Sequence, residues 1–224
     1  MFKNKVNIIE SKFPPTNKND WWFDLNENIL KRYFAGEWKK YDTTPPKPIT
    51  MPADNEIWVR YTGSVSEDDI GSYISENIFD FTGSWKVKED VIIITDNNVK
   101  NILSGDNLFM SSIGDQGTVD SIKVPKLSKL GNDMETPIFS YNIDWIIIQD
   151  IDRISNFVCH DGPGIICLAN IPPQVSYLSF GEEPYDTDVY VKDELLDTYQ
   201  QDTNWCDYNI RPISKLDQSI YNWG

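Results

Sequence analysis

Histidine is nearly missing from this sequence: His160 stands alone among 224 residues. A Ser-His-Asp triad or a histidine-rich metal centre therefore has a single ring to draw on. His160 adjoins Asp161 in CHDGPG (159–164), a pair able to ligate metal. No further ligands at metal spacing and no G-x-S-x-G elbow accompany it, so it reads as a structural or solvent-facing residue. Cysteine is scarce as well. Cys159, Cys167 and Cys206 are an odd set without a CxxC pair. They do not indicate a disulfide scaffold and point to buried thiols in a chain made in a reducing cytosol. Apolar runs are short, none near the roughly 18 to 20 residues that span a bilayer. The opening MFKNKVNIIE has no apolar h-region, so no secretory signal peptide is expected.

Other signatures of chemistry are missing too. SEDDIG (66–71), TDNN (95–98) and YDTD (185–188) are acidic clusters without EF-hand spacing. They read as solvated loop or helix N-terminal charge. Gly162-Pro163-Gly164 is a turn, since no Lys-Ser/Thr follows to make a phosphate loop. Asp144 and Asp150 lie at ordinary surface spacing, which is no basis for a glycosidase carboxylate pair. No catalytic, metal or cofactor-binding residue can be named. The chain is expected not to be an enzyme and to need no cofactor.

Positive charge is also in short supply, and unevenly so. The net charge is −15, which disfavours nucleic acid and anionic membrane as partners because both demand cationic counter-charge. Residues 1–41 hold eight Lys and Arg against five Asp and Glu, a net of +3; residues 42–224 hold twelve against thirty, a net of −18. A cationic head precedes a strongly acidic body.

Aromatics are plentiful, at 13%. Many gather in WWFDLNENILKRYFAGEWKKY (21–41), which reads as a three-strand meander, Trp21–Leu25, Ile29–Phe34 and Trp38–Tyr41. Phe13-Pro14-Pro15 before it looks like an extended arm. So small a sheet is marginal alone. Aromatics concentrate at protein interfaces, so Trp21, Trp22, Phe23, Tyr33 and Trp38 are the candidate interface and anchor residues. Residues 1–41 thus form an anchor or oligomerisation module, expected to dimerise or trimerise. Residues 42–55, with four prolines from Pro45 to Pro52, form a semi-rigid linker.

The body, 56–216, contains a repeat. In VDSIKVPKLSKL (119–130) apolar residues fall at 119, 122, 124, 127 and 130; in IDWIIIQDIDRI (143–154) each recurs 24 residues later. Looser copies begin at Ile92, Ile166 and Val189, giving a solenoid with Ile122, Ile146 and Ile166 stacked in one row. NEIWVRYTGS and ENIFDFTGSWKV suggest two strands that start it. VYVKDELLDTYQQDTNWCDY (189–208) fits a C-terminal cap: a last strand, then a short helix presenting Leu195, Leu196 and Tyr199, closed by Trp205 and Tyr208. Residues 217–224 are left as a tail. The fold class expected is mainly β: a meander module followed by a leucine-rich-repeat-like solenoid with a short helical cap.

These residues carry a resemblance. Glu56-Ile57-Trp58, Ser121-Ile122-Lys123-Val124-Pro125, Ile171-Pro172-Pro173 and the closing Val189-Tyr190-Val191-Lys192 resemble leucine-rich repeats of the BspA type, in the variant found in virion appendages of gut phages. The stretch 21–41 is similar to a meander recurring in phage fibre and capsid-associated proteins: a Trp-aromatic-Asp strand, a Leu-Lys-x-Tyr strand and a Gly-x-Trp strand. Together they cover about nine tenths of the chain and look like a head-fibre or related appendage protein of the crAss-like phages. The resemblance implies a non-enzymatic virion protein, made in the host bacterial cytoplasm, whose partners are the capsid or other virion proteins. The alternative is an adhesin whose repeat face reads a host-surface glycan or protein.

Overall fold

The computed structural model describes residues 7–34, 37–40, 48–105, 107–131, 137–140, 142–155, 158, 164–176, 179–180 and 187–223. The chain forms two compact units, Met1–Pro48 and Ile49–Gly224. Strands hold 39% of the residues and helices 17%, so the protein is mainly β.

The first unit is one four-stranded sheet in the order β1 (Ile8–Ser11), β2 (Trp21–Asp24), β3 (Ile29–Phe34), β4 (Glu37–Lys40). The expected meander is present as β2–β3–β4, with a fourth strand added. β1 runs parallel to β2, pairing Ile8 with Trp21 and Ile9 with Trp22. Ile8 and Ile9 lie just upstream of the supposed arm, and residues 12–20 are the connection that brings the chain back. Asn28 takes the positive φ (56°) that the β2–β3 turn requires, a backbone state Asn tolerates well.

The second unit is a β-solenoid of about three turns with a few short helices. It begins with β5 (Glu56–Gly63), α1 (Glu67–Asn77), β6 (Ser84–Lys88), β7 (Val91–Thr95), α2 (Val99–Ile102) and β8 (Ser112–Ile113). The coils follow as β9 (Gly117–Lys123), β10 (Leu127–Leu130), β11 (Trp145–Ile148), β12 (Ile151–Ile154), β13 (Gly164–Cys167), β14 (Gln174–Val175) and β15 (Asp188–Val191). The chain closes with α3 (Leu196–Gln201), β16 (Asn209–Pro212) and α4 (Gln218–Tyr221). The large sheet runs β16-β15-β13-β11-β9-β5-β7-β6, with β8 beside β9, and a small sheet runs β10-β12-β14. From β9 to β16 every large-sheet pairing is parallel; β5, β7 and β6 are antiparallel.

The 24-residue offset read from the sequence is the observed pairing: Ile122 faces Ile146, Leu127 faces Ile151 and Leu130 faces Ile154. The next coil is shorter, and the partner of Ile146 is Ile165. The inner row is therefore Ile92–Val59–Ile122–Ile146–Ile165–Val189–Ile210, and Ile166 does not belong to it. Successive strand side chains point to opposite faces, so a slip of one residue moves Ile166 to the outer row. The copy expected at Ile92 also differs: β7 pairs antiparallel with β5 and lies outside the parallel coils. ENIF (76–79) ends helix α1 instead of forming a strand, and only SWKVK continues as β6.

The outer row reads Ile93–Trp58–Lys123–Ile147–Ile166–Tyr190–Arg211. Both faces of the central strands are covered, which is why WIII and GIIC are continuous apolar runs and not alternating ones. Ile49 and Met51 cover the outer face, as do Ile213, Leu216, Ile220, Tyr221 and Trp223. The far half of the proline-rich segment and the stretch read as a tail thus pack on the body. The expected cap does bury Tyr199, Trp205 and Tyr208, with Trp205 Nε1 donating to the Pro173 carbonyl at 2.7 Å. β15 is not the last strand, because β16 pairs beyond it.

Candidate functional site

The candidate anchor residues share the N-terminal sheet but not one face of it. Trp22 is 6% exposed and meets Trp38 edge-on at 5.7 Å between ring centroids; Tyr33 meets Trp38 at 5.5 Å. The Lys31 ammonium lies 4.8 Å from the Trp22 ring centroid and 2.8 Å from the buried Asp24 carboxylate. The hydrogen bond from Lys31 pulls the Asp24 pKa below the usual carboxylate range, and the same bond raises that of Lys31. Trp22 Nε1 also donates to the Ser11 carbonyl at 3.0 Å. Trp22, Tyr33 and Trp38 are thus packed with one another. Trp21 and Phe23 alternate to the opposite face, where Ile8 pairs with Trp21 and Leu30 with Phe23. Ile8 is 57% exposed, and Trp21, Phe23 and Leu30 are half-buried. Among the described residues of this unit there is one sheet and no helix.

On the second unit the outer face holds a charged group where the pattern calls for an apolar one. Lys123 is fully buried, and its Nζ donates to the Thr50 carbonyl at 2.7 Å. The ammonium stands 4.6 Å from the Trp223 ring centroid and 5.5 Å from that of Trp58. Burial, aided by the Arg60 charge, pushes its pKa down to about 7. Arg60 lies 3.4 Å from both Asp90 and Asp120, donates to the Ser219 carbonyl at 2.6 Å, and approaches the Trp223 ring at 5.8 Å. Beside these groups opens a cavity of about 190 Å³ lined by Trp58, Lys88, Glu89, Asp90, Val91, Ile93 and Trp223. Sequence reasoning placed Trp58 at a strand and Trp223 in a tail, and nothing in their spacing joins them. The usable signal was a lysine between Ile122 and Val124 in a strand covered on both faces.

The acidic clusters prove structural where they are described. Ser66 and Asp69 form a reciprocal cap on α1. Asp96 is buried and accepts from the Thr82 and Asn98 amides at 3.0 and 2.7 Å. Asp188 pairs with Arg211 at 3.0 Å, whereas Tyr185 and Asp186 lie outside the described residues. Asp150 accepts from the Asn170 amide at 3.1 Å, tying successive coils. Cys159, His160, Asp161, Gly162 and Pro163 also lie outside them. Cys167 is a buried free thiol and Cys206 an exposed one. Among the described residues no group of three or more His, Cys, Asp or Glu is placed to hold a metal ion, and no helix is long and apolar enough to cross a membrane.

No family model, no curated protein and no solved structure matches this chain.

Proposed function

We propose that the chain is a non-catalytic appendage protein of a bacteriophage particle, a head fibre or similar structure. Its N-terminal unit attaches to capsid or other virion proteins, and its acidic solenoid, of the BspA leucine-rich-repeat kind, projects outward. One observation carries this reading: among the described residues, the N-terminal unit is a single four-stranded sheet with Ile8 57% exposed and Phe23 and Leu30 half-buried on one face. About 25 cal/mol is gained per Å² of apolar area removed from water, so such a face is completed by association. The net charge of +3 on residues 1–41 suits an acidic docking surface. Closed homo-oligomers are the usual state at symmetric positions, so a dimer or trimer held through this unit is part of the proposal.

Deleting residues 2–41 tests it. Particles assembled with the truncated chain are expected to lose the protein while residues 49–224 stay folded; particles that retain full occupancy overturn the proposal. A second reading, an adhesin that binds a host-surface glycan through the solenoid, is favoured by the cavity between Trp58 and Trp223. Saturable binding of residues 49–224 to whole cells or a glycan array separates the two, because a pure spacer binds neither.

A further inference from the structure

Trp58 and Trp223 line the outer-face cavity together with the buried Val91 and Ile93, and the exposed Lys88, Glu89 and Asp90 make up its rim. We infer that this cavity receives one neutral pyranose ring of a glycan, its C–H face against indole and its hydroxyls on the three rim side chains. The inference rests on the adhesin reading and supplies the site for it.

Size is the first argument. Pockets for drug-sized ligands run to about 300–1,000 Å³, and 190 Å³ suits a single six-membered ring. Polarity is the second. The walls are apolar, yet the rim offers an ammonium donor and two carboxylate acceptors side by side, the set that pairs with neighbouring hydroxyls. An apolar side chain of a partner protein fills the walls equally well, but it would bury the exposed Lys88 and Glu89 charges and give them nothing to bond.

Charge is the third argument. The two indoles already serve cations of the protein itself, Lys123 and Arg60. A cationic ligand against Trp223 would compete with the permanent charge of Arg60, and an anionic one would meet Glu89 and Asp90. A neutral polyol avoids both. The fourth argument is backbone conformation. Glu89 and Asp90 form the two-residue turn between β6 and β7, and Glu89 has φ 56°. Such turns favour Gly or Asn at positive φ; the other described non-glycine residues with positive φ are Asn28 and Asp80. Strain accepted to keep a carboxylate at a pocket mouth points to a use for that carboxylate.

The test uses the full chain with ¹⁵N-labelled tryptophan and titrates methyl glucopyranoside, methyl galactopyranoside, methyl mannopyranoside and N-acetylglucosamine to high millimolar concentration. At least one is expected to shift the Trp58 and Trp223 indole N–H signals saturably while those of Trp22 and Trp38 stay put. Glu89→Gly, which relieves the turn, is expected to keep or raise the thermal midpoint and weaken binding about tenfold or more. The inference is overturned if no pyranoside moves either indole, whether or not N-acetyl-phenylalanine amide does, or if Glu89→Gly binds as well as the parent. The adhesin reading is judged separately on cells. Equal cell binding by parent and Glu89→Gly removes this site and leaves that reading standing; pyranoside binding without saturable cell binding does the reverse.

Discussion

Gly164 faces Trp145 across neighbouring parallel strands, and a Cβ added there would lie 2.1 Å from the indole. The ring also makes an edge contact with Tyr190 at 5.8 Å, which any displacement of the indole would disturb. Gly164→Ala is expected to destabilise the body by about 1–3 kcal/mol, the usual range for overpacking. A lowered denaturation midpoint with an unchanged denaturant slope would show it. Lys123 behaves differently because its folded pKa, about 7, lies below the ordinary 10.5. Between those values the unfolded chain binds the extra proton, so stability rises with pH across that window. The buried Cys167 thiol, raised from 9.0, and the buried tyrosines, raised from 10.0, oppose the rise at the alkaline end. Chemical denaturation at intervals from pH 7 to 9 should show the increase, and Lys123→Met should flatten it while leaving the neutral-pH fold intact.

At the scale of elements, α1 illustrates what a sequence hides. Ser66 and Asp69 cap each other reciprocally, and Ile70, Tyr73 and Ile74 supply a buried helical face. SEDDIG shows that cap, but the aromatic and β-branched residues downstream make ENIFDF resemble a strand. Ser66→Ala is expected to lower stability by about 1 kcal/mol, measured as a shift in the thermal midpoint of residues 49–224. The coil register from β9 to β12 was legible because Val119 to Leu130 and Ile143 to Ile154 repeat with one period. It became illegible at β13, where four consecutive buried residues, Ile165 to Leu168, give no parity to choose the inward side. The fourth N-terminal strand was missed because Ile8 and Ile9 pair at long range with Trp21 and Trp22, and two apolar residues make no pattern. The candidate pocket was out of reach for the same reason: Trp58 and Trp223 are joined only by tertiary folding.

For the whole molecule, separation into two units makes a direct prediction. Residues 49–224 expressed alone should keep their thermal transition, and Trp21→Ala with Phe23→Ala in the full chain should lower the oligomeric state seen by light scattering without moving it. Trp22→Ala should instead unfold the N-terminal sheet, because Trp22 is packed against Trp38. The C-terminal segment over the outer face has a further consequence. Arg60 grips the Ser219 carbonyl, and Lys123 joins Thr50 to Trp223, so the first stretch of the body is fastened to β9 and the last to β9 and its neighbour β5. A load applied through residues 49 and 223 then enters and leaves at nearly one place. It peels two short segments away before it reaches any coil, and the stacked turns between carry almost none of the tension. In a pulling experiment the earliest rupture should be small and soft, followed by a stiffer body. Joining residue 223 to residue 49 by a short linker and opening the chain elsewhere should give a circular permutant that still folds.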